Sequence, residues 1–180
     1  MNYYAAKELA ESFRTVRQNT IAIAEDIPEE KYSFRPAPDT RTVGELFAHI
    51  AVINNRQYQS SAVERRTSFE GVDFQALIKQ IRAEEAEPRS KAQTLELLRT
   101  SGEQWAAFLD GVTEEFLAER VHFPANPTPS SKTRFEIILG VKEHEMHHRG
   151  QLMLIERLLG IVPHLTRRNQ ARLAAAGIKV

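Results

Sequence analysis

Hydrophobic residues recur at three- and four-residue steps through several long stretches of this chain, the rhythm of helices that each bury one face. Leu9, Phe13, Val16, Ile23 and Ile27 keep it along a first helix, Thr20 fills the missing step, and Pro28 ends it. A second helix opens at Thr42, where Thr42 and Glu45 stand as the two ends of a capping box, and Val43, Leu46, Phe47, Ile50 and Ile53 supply its apolar face. Phe74, Leu77, Ile78 and Ile81 mark a shorter helix that stops before Pro88. Ser90 with Gln93 and Thr133 with Glu136 form two further capping boxes. The first opens a helix with Leu95, Leu98, Trp105 and Leu109 on one side. The second opens the last long helix, which runs to about Leu159 before Gly160 and Pro163 stop it. No strand-like alternation is sustained and no internal repeat is present. The expected fold is all-α, a four-helix bundle in one domain over residues 1–180.

The connections are long. Residues 28–41, 67–89 and 110–132 exceed what a tight helical hairpin needs and hold seven of the eight prolines. The clearest loop runs from Phe123 to Ser131, because proline removes backbone donors and disfavours helix in the residue before it. Such crossovers either wall a pocket at one end of a bundle or simply return the chain.

Composition narrows the classes. Formal net charge is zero, with no long run of like charge, so direct contact with nucleic acid or an anionic membrane is not expected. Cysteine is absent, which excludes disulfides, thiolate metal sites and a cysteine nucleophile. Residues Met1 to Glu8 lack the basic and apolar regions of a signal peptide, and no apolar stretch approaches membrane-spanning length. A soluble cytoplasmic protein is the expectation.

The candidate chemistry lies in the last long helix. With Val141 as reference and about 100° per residue, Ile137, His144, His148, Leu152, Ile155 and Leu159 fall in one sector roughly 80° wide. His144 and His148 therefore stand one turn apart on the inward stripe, while His147 falls about 100° from its middle, on a flank. Imidazole is the commonest ligand of transition metals, and two inward imidazoles can share one ion. They can equally be core polar groups satisfied by hydrogen bonds. A metal site needs a third ligand, and spacing leaves His49, His122, His164 and many carboxylates open. Glu145 lies about 50° from the middle of the stripe and Gln151 on its flank, both able to reach a pocket. Glu45 precedes His49 by one turn, but its capping role already accounts for it. Asn54, Asn55, Arg56 and Tyr58 form a polar patch late in the second helix, read as an exposed face ahead of the alternative that it lines a pocket.

Two segments carry a family resemblance. Phe34 to Ala51, with Thr42, Gly44, Glu45, Leu46 and His49, and His144 to Leu152, with His148, Arg149, Gly150 and Gln151, occur in the order and spacing of the DinB/YfiT-like superfamily. The resemblance runs from the first helix to about Pro163. It implies a four-helix bundle of unusual connectivity, a homodimer, and a divalent metal bound by three histidines, here His49, His144 and His148. Glu145, Gln151 and His147 then become residues around the ligands or the pocket, and residues 166–180 are an extension of open role.

Three neutral imidazoles leave an ion its charge and room for another ligand, the pattern of a catalytic site. Zinc or nickel suits this donor set, and iron or manganese is compatible with it. The resemblance implies either a metal-dependent hydrolase or a thiol S-transferase acting on a small-molecule substrate with a low-molecular-weight thiol. Two other classes remain: a stress-response or binding bundle whose ion is structural, and an interaction protein without metal.

Overall fold

The computed structural model describes residues 4–124 and 128–178. Ala125, Asn126 and Pro127 of the proline-rich segment lie outside the described residues. Four long helices form the bundle: α1 (Ala6–Asp26), α2 (Val43–Tyr58), α4 (Lys91–Asp110) and α6 (Arg134–Leu158). Both α1 and α2 pack against α4 and against α6. A shorter helix, α3 (Phe74–Ala86), rests on α2; α5 (Glu114–Ala118) rests on α6; and α7 (His164–Ala175) rests on α1. No helix of the described residues is long and apolar enough to cross a membrane.

All three capping boxes close. Thr42 Oγ1 accepts from the Glu45 amide at 3.1 Å while Glu45 Oε2 accepts from the Thr42 amide at 2.7 Å. Ser90 with Gln93 and Thr133 with Glu136 repeat the arrangement. Each box satisfies backbone donors that the first helical turn leaves without partners.

The core divides into two apolar clusters. One gathers Ile23, Ile27, Val43, Phe47, Ile50, Leu98, Leu152 and Ile155. The other gathers Leu9, Phe13, Trp105, Leu109, Ile138 and Val141. Each large side chain so buried contributes about 1.5–3 kcal/mol. Between the clusters, on all four helices, runs a layer of buried polar residues: Arg17, Thr20, Asn54, Ser101 and Glu145. Gly102 makes room for it, since a Cβ there would stand 2.7 Å from Arg17 Cγ.

Several expectations need correction. Asn54 is 2 % exposed, not part of a solvated face, because its side chain turns into the polar layer toward Arg17. Helix α3 exists, but Phe74 and Ile78 on its apolar side are 40 % and 45 % exposed. The 110–132 connection holds α5 and a two-stranded antiparallel sheet, β1 (Arg120–His122) with β2 (Ser131–Thr133). These strands are three residues each, too short for alternation to register in sequence. Helix α7 begins just before the extension of residues 166–180 and takes up most of it, and none of its described residues is buried.

Candidate metal centre

Helices α2 and α6 bring three imidazoles together. His148 follows from the inward stripe of α6. His49 does not lie on the main apolar stripe of α2, yet it is buried, because that helix is covered on several sides: Ala48, His49, Ile50, Ala51 and Val52 are all inside. His144 is half-buried between them. His49 Nε2 stands 3.0 Å from His144 Nε2, and His148 Nε2 stands 3.1 Å from the same atom. One ligand nitrogen from each ring lies within 4.8 Å of the others.

Hydrogen bonds on the far side of two rings fix their protons. His49 Nδ1 is 2.6 Å from Glu85 Oε1, and a carboxylate oxygen only accepts, so Nδ1 carries the hydrogen and Nε2 a lone pair. His148 Nδ1 is 2.8 Å from Gln151 Oε1 and donates to it, so His148 Nε2 also presents a lone pair. Both lone pairs aim at His144 Nε2, which offers at most one hydrogen in the neutral ring. The triangle is therefore one proton short of satisfying itself. A shared cation resolves that shortage, and nitrogens bound at about 2.1 Å to one ion stand roughly 3.0–3.4 Å apart. The donor set and the two close separations, 3.0 and 3.1 Å, fit a metal ion.

Electrostatics favours the neutral, ligating form. Burial pushes the His144 imidazole down to about 4, with His148, His49 and His147 adding to the effect. Burial likewise lowers His148, against the opposing pull of its bond to Gln151. Burial acts to raise Glu85, but its bonds to His49 and Arg41 prevail and hold it below the usual carboxylate range. Glu85 is thus an anion at neutral pH. Arg41 Nε donates to Glu85 Oε2 at 2.8 Å, completing an Arg41–Glu85–His49 chain.

The remaining candidates separate. Gln151, though exposed, bridges two rings: Oε1 accepts from His148 and Nε2 donates to His147 Nε2 at 3.2 Å. His147 is exposed; it meets the centre through that amide and through the edge of the His148 ring, with the ring centroids 4.9 Å apart. Glu145 is 2 % exposed and pairs instead with Arg17, Nε to Oε1 at 2.9 Å and Nη2 to Oε2 at 2.9 Å, with Thr20 donating to Oε1 at 2.7 Å. Its oxygens face α1 and not the imidazoles, so it serves the polar layer. His122 lies in β1, and His164 opens α7, where its Nε2 meets Asn19 Oδ1 at 3.1 Å. Glu45 keeps its capping role and also pairs with Arg35.

Glu85 and Arg41 are the residues that sequence reasoning passed over. A signal existed for Glu85: it continues the stripe of Leu77, Ile78 and Ile81 by one turn, and an acid at a core-facing step is informative. Beside the imidazoles opens a cavity of about 660 Å³, with His148, Gln151 and Glu85 in its wall.

Comparison with known proteins agrees with this architecture. The family model described as DinB superfamily matches residues 12–152. A DinB-like protein from Bacillus subtilis has 23 % identity and a TM-score of 0.61, over 85 % of this chain and 92 % of that one. A DinB-like protein from Bacillus cereus has 18 % identity and a TM-score of 0.68, over 90 % and 97 %. YfiT from Bacillus subtilis, described as a probable metal-dependent hydrolase with an unusual four-helix bundle topology, has 16 % identity and a TM-score of 0.66, over 89 % and 91 %. At these identities the structures establish the shared fold. No curated protein matches.

Proposed function

The chain belongs to the DinB superfamily, and from that premise we propose that it is an enzyme acting on a small molecule with a divalent metal ion held by His49, His144 and His148. The reaction is hydrolysis or transfer of a thiol. The observation that carries this reading is the convergence of three imidazole nitrogens, two of which have their protons committed elsewhere, to Glu85 and Gln151. Three neutral ligands suit an open, catalytic site more than a closed structural one. Zinc or nickel suits them best, with iron or manganese as further occupants.

When bound, such an ion supplies Lewis acidity, making a water or thiol more acidic and polarising an electrophile. The chain's own residues supply orientation. Glu85 fixes the tautomer and ring plane of His49 and strengthens it as a donor, and Arg41 holds Glu85 in place. Gln151 does the same for His148. The adjoining cavity, at about 660 Å³, is within the range of small-molecule sites. Similarity to YfiT, described as a probable metal-dependent hydrolase, supports the hydrolytic form; the family resemblance also supports thiol transfer. In this reading the protein works in the cytoplasm as a homodimer.

The test uses protein purified without an affinity tag and loaded with zinc, nickel, iron or manganese. Turnover is measured against a panel of esters and amides and a panel of thiols with electrophiles. The proposal expects metal-dependent turnover in one panel, lost in His148→Ala. Stoichiometric metal with no turnover in either would leave a bundle whose ion is structural.

A further inference from the structure

Six charged side chains line the cavity beside the imidazoles: Arg35, Arg41, Arg82, Asp39, Glu45 and Glu85. Four of them cancel in pairs. Arg35 meets Glu45 at 3.1 Å, and Arg41 meets Glu85 at 2.8 Å. Arg82 on α3 and Asp39 on the connection before α2 enter no ion pair among the described residues. The cavity therefore presents one uncommitted cation and one uncommitted anion. Its apolar wall comes from α6, where Leu154 and Leu158 are each 60 % exposed and both line the cavity, with Ile155 and Leu46 beside them. Large aliphatic side chains left open inside a concave site are a surface for an apolar ligand body.

Resting on the metal-enzyme reading above, we infer that the substrate of this site is a zwitterion of the amino-acid or short-peptide class. Its carboxylate pairs with Arg82, its ammonium with Asp39, and an apolar side chain lies against Leu154 and Leu158. A purely anionic ligand leaves Asp39 facing a like charge or nothing, and a purely cationic one leaves Arg82 in the same position. Arginine suits the carboxylate end because its planar donor fork matches the two oxygens. Neither Arg82 nor Asp39 is a hydrogen-bond partner of the three imidazoles, so the recognition is separable from the metal.

Three probes of one shape test this by calorimetric titration at pH 7, on metal-free and on zinc-treated protein: leucyl-leucine, its N-acetyl derivative and its C-terminal amide. Leucyl-leucine is expected to bind about tenfold more tightly than either blocked form. Arg82→Gln should weaken leucyl-leucine and the N-acetyl probe while sparing the amide; Asp39→Asn should weaken leucyl-leucine and the amide while sparing the N-acetyl probe. Equal affinity for the three probes, or variants that act on all three alike, would overturn the inference. The crossed pattern in protein that never takes up zinc would uphold the inference and sink the metal reading. Zinc binding without the crossed pattern would do the reverse.

Discussion

His144 and Glu145 are consecutive in the chain, yet their side chains enter two buried polar clusters of opposite character. Around Glu145 the donors and acceptors nearly balance, with Asn54 Nδ2 alone of that layer left without a partner among the described residues. All five N–H groups of Arg17 find acceptors: both Glu145 oxygens, the Leu98 carbonyl at 2.6 Å, Ser101 Oγ at 2.8 Å and Asn54 Oδ1 at 3.5 Å. Around His144 they do not, because two lone pairs meet a ring with at most one proton to give. A cluster whose charged groups satisfy one another holds the fold together. An unmatched one held in place by Glu85 and Gln151 supports the reading that a metal ion completes it. The contrast teaches that burial and polarity alone do not mark a functional site; converging ligand atoms with too few protons among them are the more telling sign.

The two clusters should therefore fail differently under mutation. Glu145→Ala leaves the Arg17 guanidinium buried without its counter-ion and is expected to cost about 3–5 kcal/mol in denaturant unfolding. The double variant Arg17→Met with Glu145→Leu should recover most of that loss, because an apolar pair of similar volume avoids the stranded charge. His144→Ala, by contrast, should change metal-free stability by no more than about 1 kcal/mol. A large loss in His144→Ala would erase the distinction.

Glu156 extends the comparison to a buried acid with neither kind of support. It is wholly buried in α6, and neither oxygen is hydrogen-bonded among the described residues. Burial first, and Asp26 second, push its carboxyl from 4.5 up to about 7, against Arg167 and Arg157. A folded-state value above the unfolded one makes the native state hold the extra proton. Stability from this group is thus fully present below pH 4.5 and declines as pH rises through about 7. Glu156→Gln should remove that decline and raise stability at pH 8 by about 3 kcal/mol. Thermal unfolding of both proteins from pH 4 to pH 8 checks it, and parallel pH curves would contradict it.

Smaller effects should sharpen the imidazole side. Glu85→Gln removes the anion behind His49 and should weaken metal binding about 10–100-fold, read by competition with a chelator. Gln151→Ala should weaken it less than about tenfold, since the lost partner is neutral and exposed. An inverted order would mean that orientation by Gln151 outweighs the charge of Glu85.

What the sequence reveals divides along the same line of local against distant. The capping boxes at Thr42, Ser90 and Thr133 are contacts over three residues, so pattern alone places the helix starts. His144 and His148 are read from the period of one helix. Glu85 falls on the apolar step of its own helix, but its role does not show there, because its partner His49 lies 36 residues away. Asn54 misleads for a related reason: a polar residue is assigned outward until Arg17, from another helix, is known to need an acceptor. Helix α7 escapes notice because it buries no face among its described residues, and periodicity registers only faces that are buried.

The central claim is that His49, His144 and His148 hold an ion together. Elemental mass spectrometry on untagged protein equilibrated with zinc and then desalted tests it most directly, with His148→Ala carried through alongside. One divalent ion per chain in the wild type and none in the folded variant is the predicted result. No stoichiometric metal in the wild type, or full occupancy in His148→Ala, would contradict it.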